Sequence, residues 1–242
     1  MSMLSRFATL GGLPGDPYWA NVSYLLVGNG TNGTTTNIKD SSSNNLTTNN
    51  TNAVISTAQS KYGSGSVYFN GSSSKLQIPQ NSLFTFGTGA FTVEFWIYAA
   101  GYPTGLGGDA QGYIAFRNLA GGNFGLFIGV LSGATNRLFT SSSGVDITAS
   151  STYANGAWIH IAYVRNGTTA TLYQDGASVG SATLSANMTS SGAVNIGSGE
   201  WPAAPTLMNA YIYDLRITKG VARYTANYTP APFPPTSAMP TQ

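Results

Sequence analysis

Apolar residues along the chain recur at every second position in short runs, with no long stretch of helical spacing. Such alternation marks half-buried strands, and the Gly, Asn and Ser clusters between the runs favour turns. The clearest run is Phe91 to Tyr98, with Phe91, Val93, Phe95 and Ile97 on one face and Thr92, Glu94, Trp96 and Tyr98 on the other. Both faces are bulky, which predicts a central strand covered on both sides and requires a partner for Glu94. Other strands are expected at 18–27, 66–70, 75–78, 112–117, 124–130, 137–140, 194–197 and 209–218. Between them, 158–183 reads as a three-stranded meander, because Asn166-Gly167 and Asp175-Gly176 tolerate the positive φ of tight hairpin turns. The whole pattern predicts an all-β, two-sheet antiparallel sandwich.

Three segments depart from it. The Thr/Ser/Asn-rich tract 31–52 has the composition of a flexible linker, but Ile38, Leu46 and Val54-Ile55 predict ragged hairpins instead. Residues 1–20 are interrupted by Gly11-Gly12 and Pro14-Gly15 while offering Leu4, Phe7, Leu10 and Leu13, so they are expected to form an anchoring arm that orders on a neighbour. Residues 233–242 form a Pro-rich tail to which Phe233 adds another apolar anchor, leaving 21–232 as one domain. The apolar run from Phe7 to Leu10 is too short for a signal-peptide core, so synthesis in a cytoplasm without export is expected. No run approaches the ~20 apolar residues of a membrane-spanning helix.

Composition narrows the chemistry. Charged residues are only 7% of 242, with ten basic and eight acidic side chains giving +2, which leaves no cationic stripe for nucleic acid or an anionic bilayer. With one His and no Cys, thiolate metal sites and cysteine nucleophiles are excluded. The surface is therefore hydroxyl, amide and backbone, which suits binding or structure better than catalysis.

Several pieces in order resemble one family. They are Tyr62 to Gly71, Phe91 to Tyr98, Trp158 to Ala162, Leu172 to Gly176, Asn195 to Gly197 and Tyr211 to Ile217, and together they resemble the laminin-G-like branch of the concanavalin A-like lectin and glucanase superfamily. Pro17 to Leu26, Ser56 to Gly63 and Arg216 to Tyr224 are similar to a narrower group, the laminin-G-like proteins of tailed-phage virions. The resemblance implies a jelly-roll sandwich with adjacent first and last strands. It also implies a non-enzymatic virion surface protein, a capsid decoration or a tail-fibre or adhesion component. Such a protein would assemble with other virion proteins as a homo-oligomer on the particle and bind host-surface polysaccharide. A free glycan-binding lectin and a glycoside hydrolase are the alternatives.

Hydrolysis needs two positioned carboxylates. The family's glucanases carry Glu-x-Asp-x-x-Glu on one strand, whereas here Glu94 is the lone acid on its strand and Glu200 is the only other glutamate. His160 has no nucleophile motif nearby and is expected to be a packed, hydrogen-bonded histidine. No cofactor is expected. Calcium would draw on Asp109, Asp146, Asp175 or Asp214 with backbone carbonyls, although Asn70 stands where the family usually has Asp. Glycan binding needs only aromatic and amide groups in irregular loops, and Tyr102 with Asp109, and Glu200 with Trp201, are the candidates. Trp201 reads equally as a sugar or partner platform and as a lid on the sandwich end. Tyr18 and Trp19 are expected to pack on the closing strand.

Overall fold

The computed structural model describes residues 15–101, 111–117, 124–130, 136–199 and 207–231. Among these, fifteen strands make two antiparallel sheets. The first contains β1 (Val22–Leu26), β3 (Val54–Ser56), β4 (Ser66–Asn70), β6 (Phe91–Ala99), β11 (Trp158–Asn166), β12 (Thr169–Gln174), β13 (Ala177–Thr183) and β15 (Asn209–Lys219). Its order is β13-β12-β11-β6-β15-β4-β3, with β1 also paired to β15. The second contains β2 (Asn49–Thr51), β5 (Lys75–Ile78), β7 (Gln111–Arg117), β8 (Phe124–Val130), β9 (Arg137–Ser142), β10 (Val145–Thr152) and β14 (Val194–Ile196), in the order β10-β9-β8-β7-β14-β5-β2. This is the expected jelly-roll sandwich, with first and last strands adjacent.

The core lies between the sheets. Phe91, Val93, Phe95 and Ile97 of β6 meet Ile114, Phe116, Leu126, Ile128 and Val194 of the second sheet in one cluster. The opposite face of β6 is covered as well: Thr92, Glu94 and Trp96 are buried, and only Tyr98 is half-buried. Close packing on both faces explains why β6 carries bulky side chains on each of them.

The last long strand, β15, changes parity midway. Tyr213 pairs with Trp96 and Arg216 with Glu94, so two residues stand opposite Phe95, and Asp214 takes φ 48°. Such a bulge switches which side chains face the core. Ala210 and Ile212 point inward before it, and Leu215 and Ile217 point inward after it. Tyr211 and Tyr213 therefore share the outer face with Arg216 and Thr218.

Several expectations need correction. The strand expected from Tyr18 begins only at Val22, because the Asp16 carboxylate accepts from the Tyr18 N–H and a 3-10 turn, Trp19–Asn21, follows. Tyr18 is 40% exposed, and the Arg223 guanidinium lies 5.3 Å from its ring centre. In tract 31–52 only Asn49–Thr51 forms a strand. The rest is organised by Asp40, whose carboxylate accepts from the backbone N–H of Leu25, Ser42 and Leu46 and from the Ser42 hydroxyl at 2.8–3.0 Å. Strand β10 was not expected: its outward positions are polar and only Ile147 and Ala149 are buried, a weak alternation joined to β9 through Ser143-Gly144.

The meander is present, with one turn displaced. Asn166 pairs with Thr169, so Gly167 and Thr168 are the central residues, and only Gly167 has positive φ, as in a type II′ turn. At the other turn Asp175 and Gly176 take φ 50° and 80°, the type I′ geometry. Asp175 N–H also donates to His160 O at 2.8 Å. Proline forbids positive φ and removes that donor, so Asp175→Pro should destabilise the fold by ~3 kcal/mol or more. Equilibrium urea unfolding followed by circular dichroism checks this, and an unchanged midpoint contradicts the turn assignment.

Candidate functional site

Ionisable groups converge on the outer face of the first sheet. β6 supplies Glu94, β11 supplies His160 and the bulged β15 supplies Asp214 and Arg216. The chain after β15 then recrosses this face as a strap, residues 221–231, bringing Arg223, Tyr224 and Tyr228 over the group. Ala222, Tyr224 and Tyr228 pack on Ala162, Val164 and Tyr173, which gives the strap an apolar footing.

Asp16 ties the arginines together. Its carboxylate accepts from Arg216 Nη1 at 3.0 Å and from Arg223 Nη1 and Nη2 at 3.0 and 2.7 Å. Arg216 Nη2 donates to both oxygens of Asp214 at 3.2 Å, and Arg223 Nε donates to Thr218 Oγ1 at 2.7 Å. Glu94 Oε1 lies 3.4 Å from Arg223 Nε, and Oε2 accepts from the Tyr224 hydroxyl at 2.6 Å. His160 Nε2 is 3.6 Å from Oε2, while Nδ1 is 3.0 Å from the Tyr228 hydroxyl. Asp16 is 1% exposed, so the arm expected over residues 1–20 gives up at least this residue to the sandwich.

The charges fix the protonation states. Burial pushes the Glu94 carboxyl up, but His160 and the two arginines outweigh it and hold the group down at about 2. Burial raises Asp214 to about 6 against the pull of Arg216, with Glu94 adding to the rise. Burial and then the charge of Glu94 raise the Tyr224 and Tyr228 hydroxyls well above their ordinary value, so Tyr224 remains a donor to Glu94.

The cluster closes on itself, with its carboxylates held by arginines, its imidazole by the Tyr228 hydroxyl and the Tyr224 hydroxyl by Glu94. Glu94 and Asp214 are 4% and 6% exposed, and both are held by guanidinium groups. The expectation of a packed His160 and a partnered Glu94 matches this arrangement. Of the aspartates named for calcium, Asp214 faces Arg216, Asp175 accepts from the His160 N–H at 2.8 Å, and Asp146 is exposed on β10. Among the described residues no three His, Asp or Glu side chains are grouped to hold a metal.

A second feature occupies the same face, nearer the end of the sandwich. Tyr68, Tyr211, Tyr98 and Trp158 pair in register across β4, β15, β6 and β11, forming one row. All four are half-buried. Ring centres are 4.6 Å apart for Tyr68 and Tyr211, and 5.8 Å apart for Tyr211 with Tyr98 and for Tyr98 with Trp158. One row further in, Tyr213, Trp96 and His160 are covered: Tyr62 packs edge-on to Trp96 and Tyr213, Lys61 Nζ sits 4.0 Å over the Trp96 ring, and Tyr228 lies on His160.

The loop candidates Tyr102, Asp109, Glu200 and Trp201 lie outside the described residues, as do the arm residues Leu4, Phe7, Leu10, Leu13 and Phe233. The described ends of the two loops do adjoin: Gln111 Nε2 donates to Leu207 O at 3.2 Å, and Ser198 bridges Leu207.

Residues 70–223 match the Laminin_G_3 family profile, described as concanavalin A-like lectin/glucanases superfamily. The chain belongs to that family. No curated protein sequence matches it. Among solved structures, this superfamily member is similar to the binding domain of Paraclostridial Mosquitocidal Protein 1, with a TM-score of 0.63 and 19% identity over 84% of this chain and 50% of that one. It is also similar to domain 4 of AbnA, a GH43 extracellular arabinanase from Geobacillus stearothermophilus solved with arabinotriose. There the TM-score is 0.58 and the identity 15%, over 84% of this chain and 94% of that one. A botulinum neurotoxin type C structure, whose cell entry depends on two ganglioside molecules, matches with a TM-score of 0.59 and 15% identity over 84% of this chain and 49% of that one. The chain thus spans about half the length of the two toxin chains. At these identities the likeness is one of fold.

The folded Glu94 carboxyl, at about 2, sits below its ordinary 4.5, so its contribution to stability is complete above pH 4.5 and is lost as pH falls toward 2. Glu94→Gln should lower stability at pH 7 by ~3–5 kcal/mol, since it leaves buried guanidinium charge uncompensated. The same substitution should make the fall below pH 4.5 shallower. Urea unfolding at a series of pH values measures both effects.

Proposed function

We propose that the protein is a non-catalytic recognition module on the surface of a tailed-phage virion, serving as a capsid decoration or as a tail-fibre or adhesion component that engages host-surface glycans. One observation carries the non-catalytic part: among the described residues Glu94 and Asp214, neighbouring carboxyls on adjacent strands, are buried and held by Arg216 and Arg223. Hydrolysis requires one such group free to protonate a leaving oxygen and another free to attack or activate water. Recognition by a lectin-like fold requires neither.

The virion part is supported by the likeness of Pro17 to Leu26 and Arg216 to Tyr224 to phage laminin-G-like proteins. In this chain those segments meet in space. β1 pairs with β15 along Val22 to Leu26, and Arg223 reaches Asp16 just ahead of Pro17. A net charge of +2 also lowers mutual repulsion between copies packed on a particle. A free lectin is the second reading, favoured by the match to nearly all of an arabinanase domain solved with a sugar.

Three measurements test these readings. Localisation by electron microscopy of the intact particle should place the protein on head or tail, and its absence from purified particles would favour the free lectin. Incubation with host polysaccharide should release no reducing sugar. Deletion of residues 1–13, which keeps Asp16, should leave the unfolding midpoint unchanged and abolish incorporation into particles. Full incorporation of the truncated chain would remove the arm from the attachment mechanism.

A further inference from the structure

We propose that the outer-face row Tyr68, Tyr211, Tyr98 and Trp158 is a binding site for an uncharged polysaccharide chain laid across the strands of the first sheet. The inference rests on the recognition reading above and gives it a site and a ligand class. Its foundation is register: Tyr68 opposes Tyr211, Tyr211 opposes Tyr98, and Tyr98 opposes Trp158, so one ring stands on each of four neighbouring strands. Neighbouring strands lie ~4.8 Å apart, which makes the row about 14 Å long and one side chain wide. That is the shape of an extended chain of small rings.

The next row shows what aromatic side chains on this face meet when they serve only the fold. Trp96 and Tyr213 are 6% and 7% exposed beneath Tyr62 and Lys61. The four rings of the outer row keep part of their surface open. Their planes also differ, with angles of 82° between Tyr98 and Tyr211 and 60° between Tyr98 and Trp158. Tyr98 thus stands edge-on to both of its neighbours, and the row presents rings of differing orientation.

Charge decides the ligand class. The outer positions of β4 and β15 beside the row are Asn70 and Asn209, and Val54 of β3 pairs with Tyr68, all uncharged. The nearby cation, Lys61, is engaged over Trp96. An acidic ligand would find no counter-charge in the row itself. A pyranose presents an apolar C–H face rimmed by hydroxyls, and it finds here aromatic surface rimmed by phenol hydroxyls and amides. Burial and then the neighbouring Tyr68 and Tyr98 raise the Tyr211 hydroxyl against a hydrogen bond with Ser56, so it stays protonated. The Asn209 Oδ1, one outer position from Tyr211, is an acceptor without a hydrogen-bond partner at the floor of this end of the face. Size argues against a folded protein partner: four partly covered rings offer roughly 400 Å² at most, against the ~800 Å² that each partner buries in a stable interface.

The test uses the full chain and three probes in titration calorimetry. The first is a set of neutral oligosaccharides of four or more residues (glucan, galactan, mannan and arabinan), the second their uronate-containing counterparts, and the third a decaproline peptide. The unaltered protein should bind a neutral oligosaccharide. Trp158→Ala and Tyr211→Ala should each weaken that binding tenfold or more, Tyr211→Phe should weaken it less, and Tyr18→Ala, outside the row, should leave it unchanged. Unfolding midpoints establish that each variant is folded. Should an alanine variant fail to fold, the Trp158 indole N–H signal of the unaltered protein takes its place, and it should shift on addition of the bound sugar. Neutral-sugar binding that survives in folded row variants, or that leaves the indole signal unmoved, overturns the row as the site while the recognition reading stands. Binding only of the acidic probes or only of decaproline overturns the ligand class. Binding of none of them overturns both the inference and glycan recognition.

Discussion

Two arginines and three carboxylates, closed off from water on the outside of one sheet, tie together the chain before the first strand, two central strands and the strap that recrosses them. Asp16 precedes the first strand, Glu94 sits mid-sheet, Arg216 follows a bulge and Arg223 belongs to the strap. Removing one of them leaves buried charge under-compensated in a low-dielectric site, and that penalty greatly exceeds the worth of an exposed ion pair. The lock therefore enforces an arrangement more than it adds stability. With Arg216 facing the core it would have no acid to meet, so the bulge at Asp214 and the register of β15 against β6 are specified together.

The strap turns a two-layer sandwich into one with a partial third layer. Tyr224 and Tyr228 stack on one another with centres 3.5 Å apart and ride on Ala162, Val164 and Tyr173. Tyr228 N–H donates to Gly176 O at 2.9 Å, and a Cβ on Gly176 would come within 1.8 Å of Tyr228 O, so this turn needs glycine for contact as well as for φ. The strap divides the outer face: its inner half is sealed, and its outer half keeps aromatic rings at the surface.

Much of the fold was legible because it is local. Alternation in Phe91 to Tyr98 announces a strand buried on both faces, and Asp175-Gly176 announces its turn. What escaped reading depends on contacts distant in sequence. Nothing near Asp16 indicates that its partner lies 200 residues away, and the bulge that aims Arg216 occurs at an aspartate where no glycine advertises it. Asp40 was hidden in a low-complexity tract whose composition outweighed its one carboxylate. The aromatic row is a property of cross-strand register, so each of its members reads alone as an ordinary outward-facing strand residue. Charge offered a usable clue to the lock, since a glutamate and an arginine inside hydrophobic strands of a charge-poor chain each demand a counter-ion.

The distribution of charge has a consequence for the setting in which the protein can operate. Mobile ions act on fields that reach into solvent, over a Debye length of ~8 Å at physiological salt. Here the densest charge is sealed beneath tyrosines, with Arg216 and Asp16 only 3% and 1% exposed, while the exterior is hydroxyl and amide with few charges to screen. Ionic strength thus has little hold on either the interior or the surface. A fold held this way should change its stability little between dilute buffer and concentrated salt.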